Sequence, residues 1–303
     1  MKAMEQQHGE NWSLYQGDSC ELMRGLPTRS IDLAVFSPPF KSLYTYSNSE
    51  RDLGNCRGDT EFFAHFGYIT QELRRVLRPG RLACVHVQQL TTTQNTHGVI
   101  GLTDFRGDVI RHFTAGGWVF HGEVTIDKCP QAQAIRTKSK SLMFVQKNRD
   151  RSWLRPALAD YILLFRAPGD NPTPICDGPN GEVSNEDWIC WARPIWYGIR
   201  ETETLNVAVA RDNEDERHVC PLQLGTIERC VKLWSNPGET VLSPFAGIGS
   251  EGYVALQHGR RFLGIELKAS YYRVAGVNLR QAERLAQART LFSDSEPAAV
   301  APR

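Results

Sequence analysis

The sequence lacks several features that would assign it to a particular class of protein. Its formal net charge is only +1, so no overall excess of basic residues indicates a polyanionic partner, although a local basic face would still allow one. The eight cysteines form no C-x-x-C pair, which argues against a zinc ribbon or a thioredoxin-type site. We recognise no signal-peptide pattern and expect none, and no apolar run approaches the roughly 18 residues of a membrane span. We therefore expect a cytoplasmic protein with free thiols and no metal.

The sequence does have the pattern of a folded α/β protein. Hydrophobic residues make up 41% and charged residues 23% of its 303 positions, which allows one large domain with an insertion or two small domains. Apolar strands at Ile31–Phe36, at residues 81–87 and at residues 240–242 alternate with helical patterns, such as residues 60–77. This alternation predicts an α/β fold with a mainly parallel sheet.

A glycine-rich turn follows the strand at residues 240–242. Gly247 and Gly249 occupy a turn from strand to helix, where the missing Cβ atoms let backbone N–H groups approach a ligand. Glu266 ends the next strand, and its carboxylate can accept hydrogen bonds from two ribose hydroxyls. Together they predict a nucleoside-containing ligand, either a dinucleotide or S-adenosylmethionine. A glycine turn alone would also be compatible with a tight turn that binds no ligand.

A second turn, Ser37-Pro38-Pro39-Phe40, follows the strand Ile31–Phe36. The two prolines stiffen the turn and leave its carbonyl groups free to accept hydrogen bonds. The Ser37 hydroxyl and the Pro38 carbonyl suit the two hydrogens of an amino group on a planar base, and Phe40 suits stacking on the ring. The alternative is a tight turn that happens to use prolines.

Taken together, the two turns resemble those of the DNA amino-methyltransferases. That family has [Asp/Ser/Asn]-Pro-Pro-[Tyr/Phe/Trp] at the target base and Phe-x-Gly-x-Gly at S-adenosylmethionine. Because the proline turn comes first here, the order resembles the circularly permuted beta group. Gly17-Asp18 and residues 73–80 and 235–242 are also similar to family segments. The sequence departs from the pattern at Ser243, where Asp is usual, and at Ser250, where Thr is common.

The resemblance implies a Rossmann-like methyltransferase sheet, S-adenosylmethionine as cofactor, and direct transfer of a methyl group to an exocyclic amino nitrogen. It implies neither a metal nor a covalent intermediate. The catalytic residues that it implies are Ser37, Pro38, Pro39 and Phe40. The cofactor-binding residues that it implies are Asp18, Pro244, Phe245, Ala246, Gly247, Gly249, Ser250 and Glu266.

The first residue of the proline turn bears on the choice of target base. Among relatives, Ser in the first position of the proline turn occurs mainly with N4 of cytosine, so Ser37 favours cytosine over N6 of adenine. Three alternatives stay open: an adenine enzyme, a methyltransferase for RNA or for a protein amide, and a DNA-binding relative without catalysis, of which Ser243 would be the sign.

The resemblance also implies double-stranded DNA as partner, a role in DNA methylation or restriction-modification, and a homodimer as one possible assembly of a bacterial or phage-encoded protein. Residues expected to contact DNA are Lys41, Tyr44, Tyr46 and Arg51 in the loop 41–59, Arg193, and the basic residues of segment 136–155. We divide the chain into a catalytic half (12–169), a target-recognition insertion (170–218), a cofactor-binding half (219–290) and a flexible tail (291–303).

Overall fold

A computed structural model describes residues 3–40, 52–56, 58–92, 94–137, 142–177, 181–205 and 221–293. Its strands are β1 (Glu5–His8), β2 (Trp12–Gln16), β3 (Ile31–Phe36), β4 (Leu77–Gln88), β5 (Leu90–Thr92), β6 (Gly101–Thr103), β7 (Val119–Ile126), β8 (Asp160–Arg166), β9 (Ile195–Trp196), β10 (Thr240–Ser243) and β11 (Arg261–Glu266). Its helices are α1 (Ser19–Arg24), α2 (Asp59–Val76), α3 (Gln94–His97), α4 (Phe105–Ala115), α5 (Pro130–Thr137), α6 (Asn185–Trp191), α7 (Leu224–Trp234), α8 (Ser250–Gln257) and α9 (Ala269–Ser293).

Nine of these strands form one sheet in the order β1-β2-β11-β10-β3-β4-β8-β7-β9. The five strands from β2 to β4 are parallel to one another. Strand β8 runs antiparallel to both β4 and β7, and β1 runs antiparallel to β2. The predicted α/β fold with a mainly parallel sheet is therefore confirmed.

Helices cover both faces of the sheet, because successive residues of a strand point to opposite sides. Ala34 and Phe36 face a core that includes the aromatic side chains of α2 and α4. Leu33 and Val35 face the other core, to which α7, α8 and α9 contribute. A central strand such as β3, with all six residues buried, therefore has apolar side chains on both faces.

The chain reverses its direction of travel across the sheet between β10 and β3. From β10 the chain passes through α8 to β11 on one side, whereas from β3 it passes through α2 to β4 on the other. The carboxyl ends of β10 and β3 therefore meet at a topological switch point, where open α/β sheets bind their ligands. The glycine turn follows β10 and the proline turn follows β3, so the fold brings the two turns together.

The described parts of the predicted insertion, residues 170–177 and 181–205, contact both edges of the parallel strands. At the amino-terminal edge, the buried Arg81 donates a hydrogen bond to the Thr173 carbonyl (3.1 Å), and Arg260 donates one to Glu182 (2.6 Å). The segment then crosses the sheet, and β9 pairs with the end of β7 at the carboxyl-terminal edge. Trp196 of β9 is fully buried in the core that α7 shares. Trp196 therefore packs in the main core of the fold.

Some element boundaries differ from the sequence prediction. Helix α2 ends at Val76, and β4 begins at Leu77, so Pro79 and Gly80 lie within the start of the strand rather than in a separate turn. The fixed φ of Pro221 would suit the first turn of a helix, but α7 begins only at Leu224. Among the described residues, no helix combines the length and the apolar character that crossing a membrane requires.

Candidate active site

The two glycines of the first turn serve different purposes. Both have positive φ angles, 52° at Gly247 and 86° at Gly249, in the region that disfavours side chains. A Cβ atom at Gly249 would lie 3.2 Å from the Cβ of Ala275, so this glycine lets α9 pack closely against the turn. A Cβ atom at Gly247 would have no neighbour within 4 Å. Gly247 therefore faces open space, as expected where a ligand approaches the backbone.

Glu266 closes this turn from the end of β11. Its carboxylate accepts hydrogen bonds from the backbone N–H of Gly247 (2.8 Å) and of Lys268 (2.8 Å). Burial raises the pKa of the Glu266 carboxyl to about 7, against the lowering effect of these hydrogen bonds. A carboxylate has about four lone-pair positions, so the oxygens of Glu266 retain capacity for two further donors.

Several buried polar atoms lie on the segments around the glycine turn and have no hydrogen-bond partner among the described residues. They are Ser243 Oγ at the end of β10, Ser250 Oγ at the start of α8, and Gln223 Oε1 and Thr226 Oγ1 at the start of α7. Buried polar atoms without partners are uncommon and call for an explanation. A ligand with a polar end, such as the amino-acid part of S-adenosylmethionine, would satisfy them.

The turn at Gly17 and Asp18 packs against the glycine turn. The Gly17 N–H donates to the Glu266 carbonyl (3.0 Å), and Ser19 Oγ donates to the carbonyl of the buried Pro244. Asp18 caps α1, because its Oδ1 accepts from the Glu21 N–H (2.9 Å). The structure therefore brings the Asp18 segment to the predicted cofactor site, while one of its oxygens has a structural role in the helix cap.

Aromatic and apolar contacts join the glycine turn to the proline turn. The half-buried Phe245 ring lies 5.8 Å from the ring of Phe36, which immediately precedes Ser37. Ala246 is buried and donates its N–H to the carbonyl of Ile265 (2.9 Å). The two turns are thus held in fixed positions beside each other.

In the proline turn, Pro38 is buried, whereas Ser37, Pro39 and Phe40 are half-buried. The ring of Phe40 meets Phe105 edge-on, with 5.9 Å between ring centroids, and lies 6.4 Å from the ring of His86. These contacts fix the orientation of the ring and leave part of its surface accessible.

Three polar side chains behind Ser37 were not identified from the sequence. Ser37 Oγ lies 3.1 Å from His86 Nδ1, and His86 Nε2 lies 3.2 Å from Asp160 Oδ2. Lys128 Nζ lies 2.6 Å from the same oxygen of Asp160. Burial raises the pKa of the Asp160 carboxyl, but His86 and Lys128 outweigh that effect and bring it to about 2. His86 is the one imidazole within the apolar strand β4, which is the signal that the sequence offered.

The predicted DNA contacts are only partly described. Lys41, Tyr44, Tyr46 and Arg51 lie outside the described residues. The end of their loop, residues 52–56, is packed inward, with Leu53 and Cys56 in the core. Arg193 is exposed and lies directly before Pro194, whose carbonyl binds the backbone of β7 at the carboxyl-terminal edge. Of the predicted basic segment, Lys138 and Lys140 lie outside the described residues, and the basic residues described as exposed are Lys147, Arg149 and Arg151.

The fold is thus a Rossmann-like α/β fold with a glycine turn and a proline turn at one switch point. The model of a family described as DNA methylase, for N6 and N4 amino groups, matches residues 31–276. This chain therefore belongs to the N6/N4 DNA methylase family, whose methyl donor is S-adenosylmethionine, and is a methyltransferase.

Curated relatives support this assignment. The chain is 31% identical to the type II methyltransferase M.BglI of Bacillus subtilis over 121 residues, which are 40% of this chain and 30% of that protein. It is 22% identical to the type II methyltransferase M1.MboII of Moraxella bovis over 284 residues, which are 89% of this chain and 97% of that protein.

Solved structures share the fold. A putative DNA modification methylase from Thermus thermophilus, in complex with S-adenosyl-L-methionine, superimposes with a TM-score of 0.64 at 22% identity, covering 89% of this chain and 95% of that one. The cytosine-N4-specific PvuII DNA methyltransferase superimposes with a TM-score of 0.63 at 16% identity, covering 94% of this chain and 95% of that one. At these identities the likeness supports the fold alone.

Proposed function

We propose that this protein is a site-specific DNA methyltransferase of the beta group that methylates N4 of a cytosine flipped out of the duplex. The observation that carries the proposal is the Ser37 hydroxyl, which is fixed at the switch point beside the glycine turn. A hydroxyl at this position, rather than a carboxylate or an amide, favours cytosine. The N4 specificity of the similar PvuII enzyme is compatible with this choice.

The chemistry requires activation of a weak nucleophile. The lone pair of an exocyclic amino group is delocalised into the ring, so the nitrogen attacks poorly. Hydrogen bonds from its two N–H groups to Ser37 Oγ and the Pro38 carbonyl would favour a tetrahedral nitrogen with a localised lone pair. Phe40 would stack on the ring and hold it in line with the methyl group.

In this proposal the cofactor occupies the glycine turn. Glu266 accepts the ribose hydroxyls, Asp18 lies near the adenine, and Gly247 permits close approach of the backbone. The unpaired oxygens of Ser243, Ser250, Gln223 and Thr226 bind the amino-acid end. Ser243 has no carboxylate to offer the ammonium group, so these neutral oxygens would replace the Asp that is usual there. S-adenosylmethionine supplies the electrophilic methyl group.

DNA would bind along the carboxyl-terminal edge of the sheet. The segment between β7 and β8 leaves and re-enters the sheet at this edge, because Ile126 pairs with Asp160. Its exposed Lys147, Arg149 and Arg151 suit contacts to phosphates, and Arg193 precedes β9 at the same edge. We propose the loop 41–59 as a further contact, and residues 170–218 as the region that contributes recognition of the target sequence.

The test is incubation of the purified protein with unmethylated genomic DNA and S-adenosylmethionine, followed by digestion and mass spectrometry of the nucleosides. We expect N4-methylcytosine from the wild type and none from Ser37→Ala. Ser30→Ala is the matched control, because Ser30 precedes β3 at the opposite end of the same strand and its hydroxyl donates to the nearby Pro27 carbonyl. N6-methyladenine would retain the family and overturn the choice of base. No methylated nucleoside, despite binding of the cofactor, would overturn DNA as the substrate.

A further inference from the structure

A chain of polar side chains in close contact leads from the catalytic turn into the protein. It connects Ser37 at the end of β3, His86 on β4 and Asp160 at the start of β8, with Lys128 beyond them. His86 is 9% exposed and Asp160 is 3% exposed, so this chain is shielded from solvent except at Ser37. A buried imidazole between a hydroxyl and a carboxylate is an arrangement suited to proton transfer.

We propose that Ser37, His86 and Asp160 form a proton relay, in which His86 orients the Ser37 hydroxyl and takes up the proton released by the methylated amino group. His86 and Asp160 are positioning residues, since they act on the base through Ser37. This inference rests on the proposed function, because it requires an amino group held by Ser37.

The orientation of the relay follows from the charge of Asp160. An ionised carboxylate only accepts hydrogen bonds, so the imidazole proton belongs on Nε2, which faces Asp160 Oδ2. The Nδ1 lone pair then faces Ser37, and the Ser37 hydroxyl donates to it. Ser37 Oγ also lies 3.4 Å from the His86 carbonyl, which can only accept, so neither contact uses a lone pair of Ser37, and these stay available to the target base. Ser37 is thereby fixed as an acceptor, which selects a base with an amino group over one with a carbonyl group at the same position.

The proton movements balance. The amino nitrogen forms a bond to the methyl carbon as the carbon–sulfur bond breaks, and that electron pair remains on sulfur. The nitrogen now carries a positive charge, and one of its protons passes to Ser37 Oγ. The hydroxyl proton of Ser37 moves to His86 Nδ1 in the same step. The products are a neutral methylamino base, a thioether and an imidazolium ion, which later gives its proton to solvent.

The charged groups around His86 suit the formation of an imidazolium ion. Among the described residues, the charged groups that face His86 are Asp160 on β8 and Lys128 after β7, which neutralise each other. Gln88 Nε2 donates to Asp160 Oδ1 (2.7 Å) and holds the carboxylate in place. Burial raises the pKa of the Cys84 thiol, two residues along β4, so this group stays neutral. The buried residues of α7, on the same face of the sheet, bring no charged side chain. The imidazolium therefore forms next to an ionised carboxylate.

The experiment measures single-turnover methylation of DNA as a function of pH, with the holoenzyme saturated with S-adenosylmethionine. The wild-type rate should fall on the acid side, where a protonated His86 no longer accepts from Ser37. His86→Asn keeps an acceptor near Ser37 but cannot titrate, so the acid limb should disappear. His86→Phe removes both functions and should lower the rate about 10²-fold at alkaline pH.

Two further variants separate the relay from a structural role. Asp160→Asn should also lower the rate, because an amide that donates to Nε2 moves the imidazole proton to Nδ1. The dissociation constant of the cofactor should be unchanged in Asp160→Asn and in His86→Asn. His112→Asn is the control, since His112 packs on Phe66 and contacts Thr70 on α2. Its pH profile should match the wild type.

The outcomes are distinct. A wild-type rate and an unchanged acid limb in His86→Asn, with the methylated nucleoside still formed, would overturn the relay and leave the proposed function intact. A wild type that binds cofactor and methylates no DNA would overturn the proposed function, and the relay with it. If His86→Asn fails to fold, as judged by circular dichroism, Asp160→Asn decides in its place: a wild-type rate in that variant would overturn the relay.

Discussion

At the residue scale, Glu266 illustrates how burial prepares a side chain for a ligand. The carboxyl is held by two backbone N–H groups, yet burial still raises its pKa to about 7. Two ribose hydroxyls would bind better to the ionised form, which offers acceptor lone pairs on both oxygens and carries no proton. Without the ligand, the carboxyl therefore favours a proton that ribose binding must displace.

This conflict predicts how cofactor binding depends on pH. Because the carboxyl is protonated below about pH 7, the affinity for S-adenosylhomocysteine should increase as the pH rises through this value and level off above it. Calorimetry in two buffers with different ionisation enthalpies should detect release of a proton on binding. Glu266→Gln should bind more weakly, with no dependence on pH in this range. An identical pH dependence in this variant would assign the titration to another group.

The two glycines give a second prediction. Gly249→Ala combines a left-handed φ, which costs about 1–2 kcal/mol for a side chain, with a collision against Ala275, so it should lower the stability and abolish cofactor binding. Gly247→Ala incurs only the cost of its φ and projects a methyl group into open space. Thermal unfolding and cofactor titration should separate them: Gly247→Ala remains the more stable and still binds weakly. Equal losses of stability would contradict this distinction.

Some residues of the site can be predicted from the sequence, and others cannot. Ser37, Gly247 and Glu266 are recognisable because each belongs to a short motif next to a strand. His86 and Asp160 are 74 positions apart in the sequence, and only the antiparallel pairing of β4 with β8 brings them together. No local pattern contains that pairing. The sequence shows His86 as a polar residue within an apolar strand, but it does not show that Asp160 is its partner.

At the scale of elements, the central strands agree with the pattern of apolar residues. Strand β3 has the predicted bounds, since all its residues are buried and the prolines end it. The antiparallel direction of β8 was not predictable, because the orientation of a strand depends on a connection of more than 30 residues. An apolar segment between helical segments predicts that a strand exists. It does not predict which strands lie beside it in the sheet.

The segment between β7 and β8 supports a prediction at this scale. Replacing Lys147, Arg149 and Arg151 by Gln should weaken DNA binding at all sequences alike. The slope of the logarithm of the binding constant against the logarithm of salt concentration should decrease by about 0.9 for each phosphate that is no longer neutralised. The same change at Arg74, Arg273 and Arg284 on α2 and α9 serves as a control of equal charge. An equal effect in both triple variants would indicate a response to net charge alone.

At the scale of the whole molecule, one buried ion pair links three distant parts of the chain. The Arg81 side chain is fully buried, and its guanidinium binds both oxygens of Glu239 at the start of the β10 segment. It also donates to Thr173, and Glu239 in turn accepts from Asn236. This network lies at the edge of the sheet opposite the active site.

Breaking this pair should destabilise the entire fold. Glu239→Ala would leave a buried guanidinium without its counter-ion, which costs about 3–5 kcal/mol. Asp108→Ala at the exposed pair with Arg111 should leave the stability nearly unchanged. Urea unfolding compares the two variants. A small loss in Glu239→Ala would mean that water or a neighbouring group compensates for the missing carboxylate.

The strand order has a consequence for the time course of synthesis. Strands β2 and β3 are consecutive in the chain, yet β10 and β11 lie between them in the sheet. A ribosome therefore completes most of the polypeptide while the sheet still has a gap two strands wide between β2 and β3. The backbone on both sides of this gap is unpaired. During that interval the nascent chain offers edges to which another polypeptide can add. Chaperones that shield such edges should increase the yield of active protein, and fragments that end before β10 should aggregate.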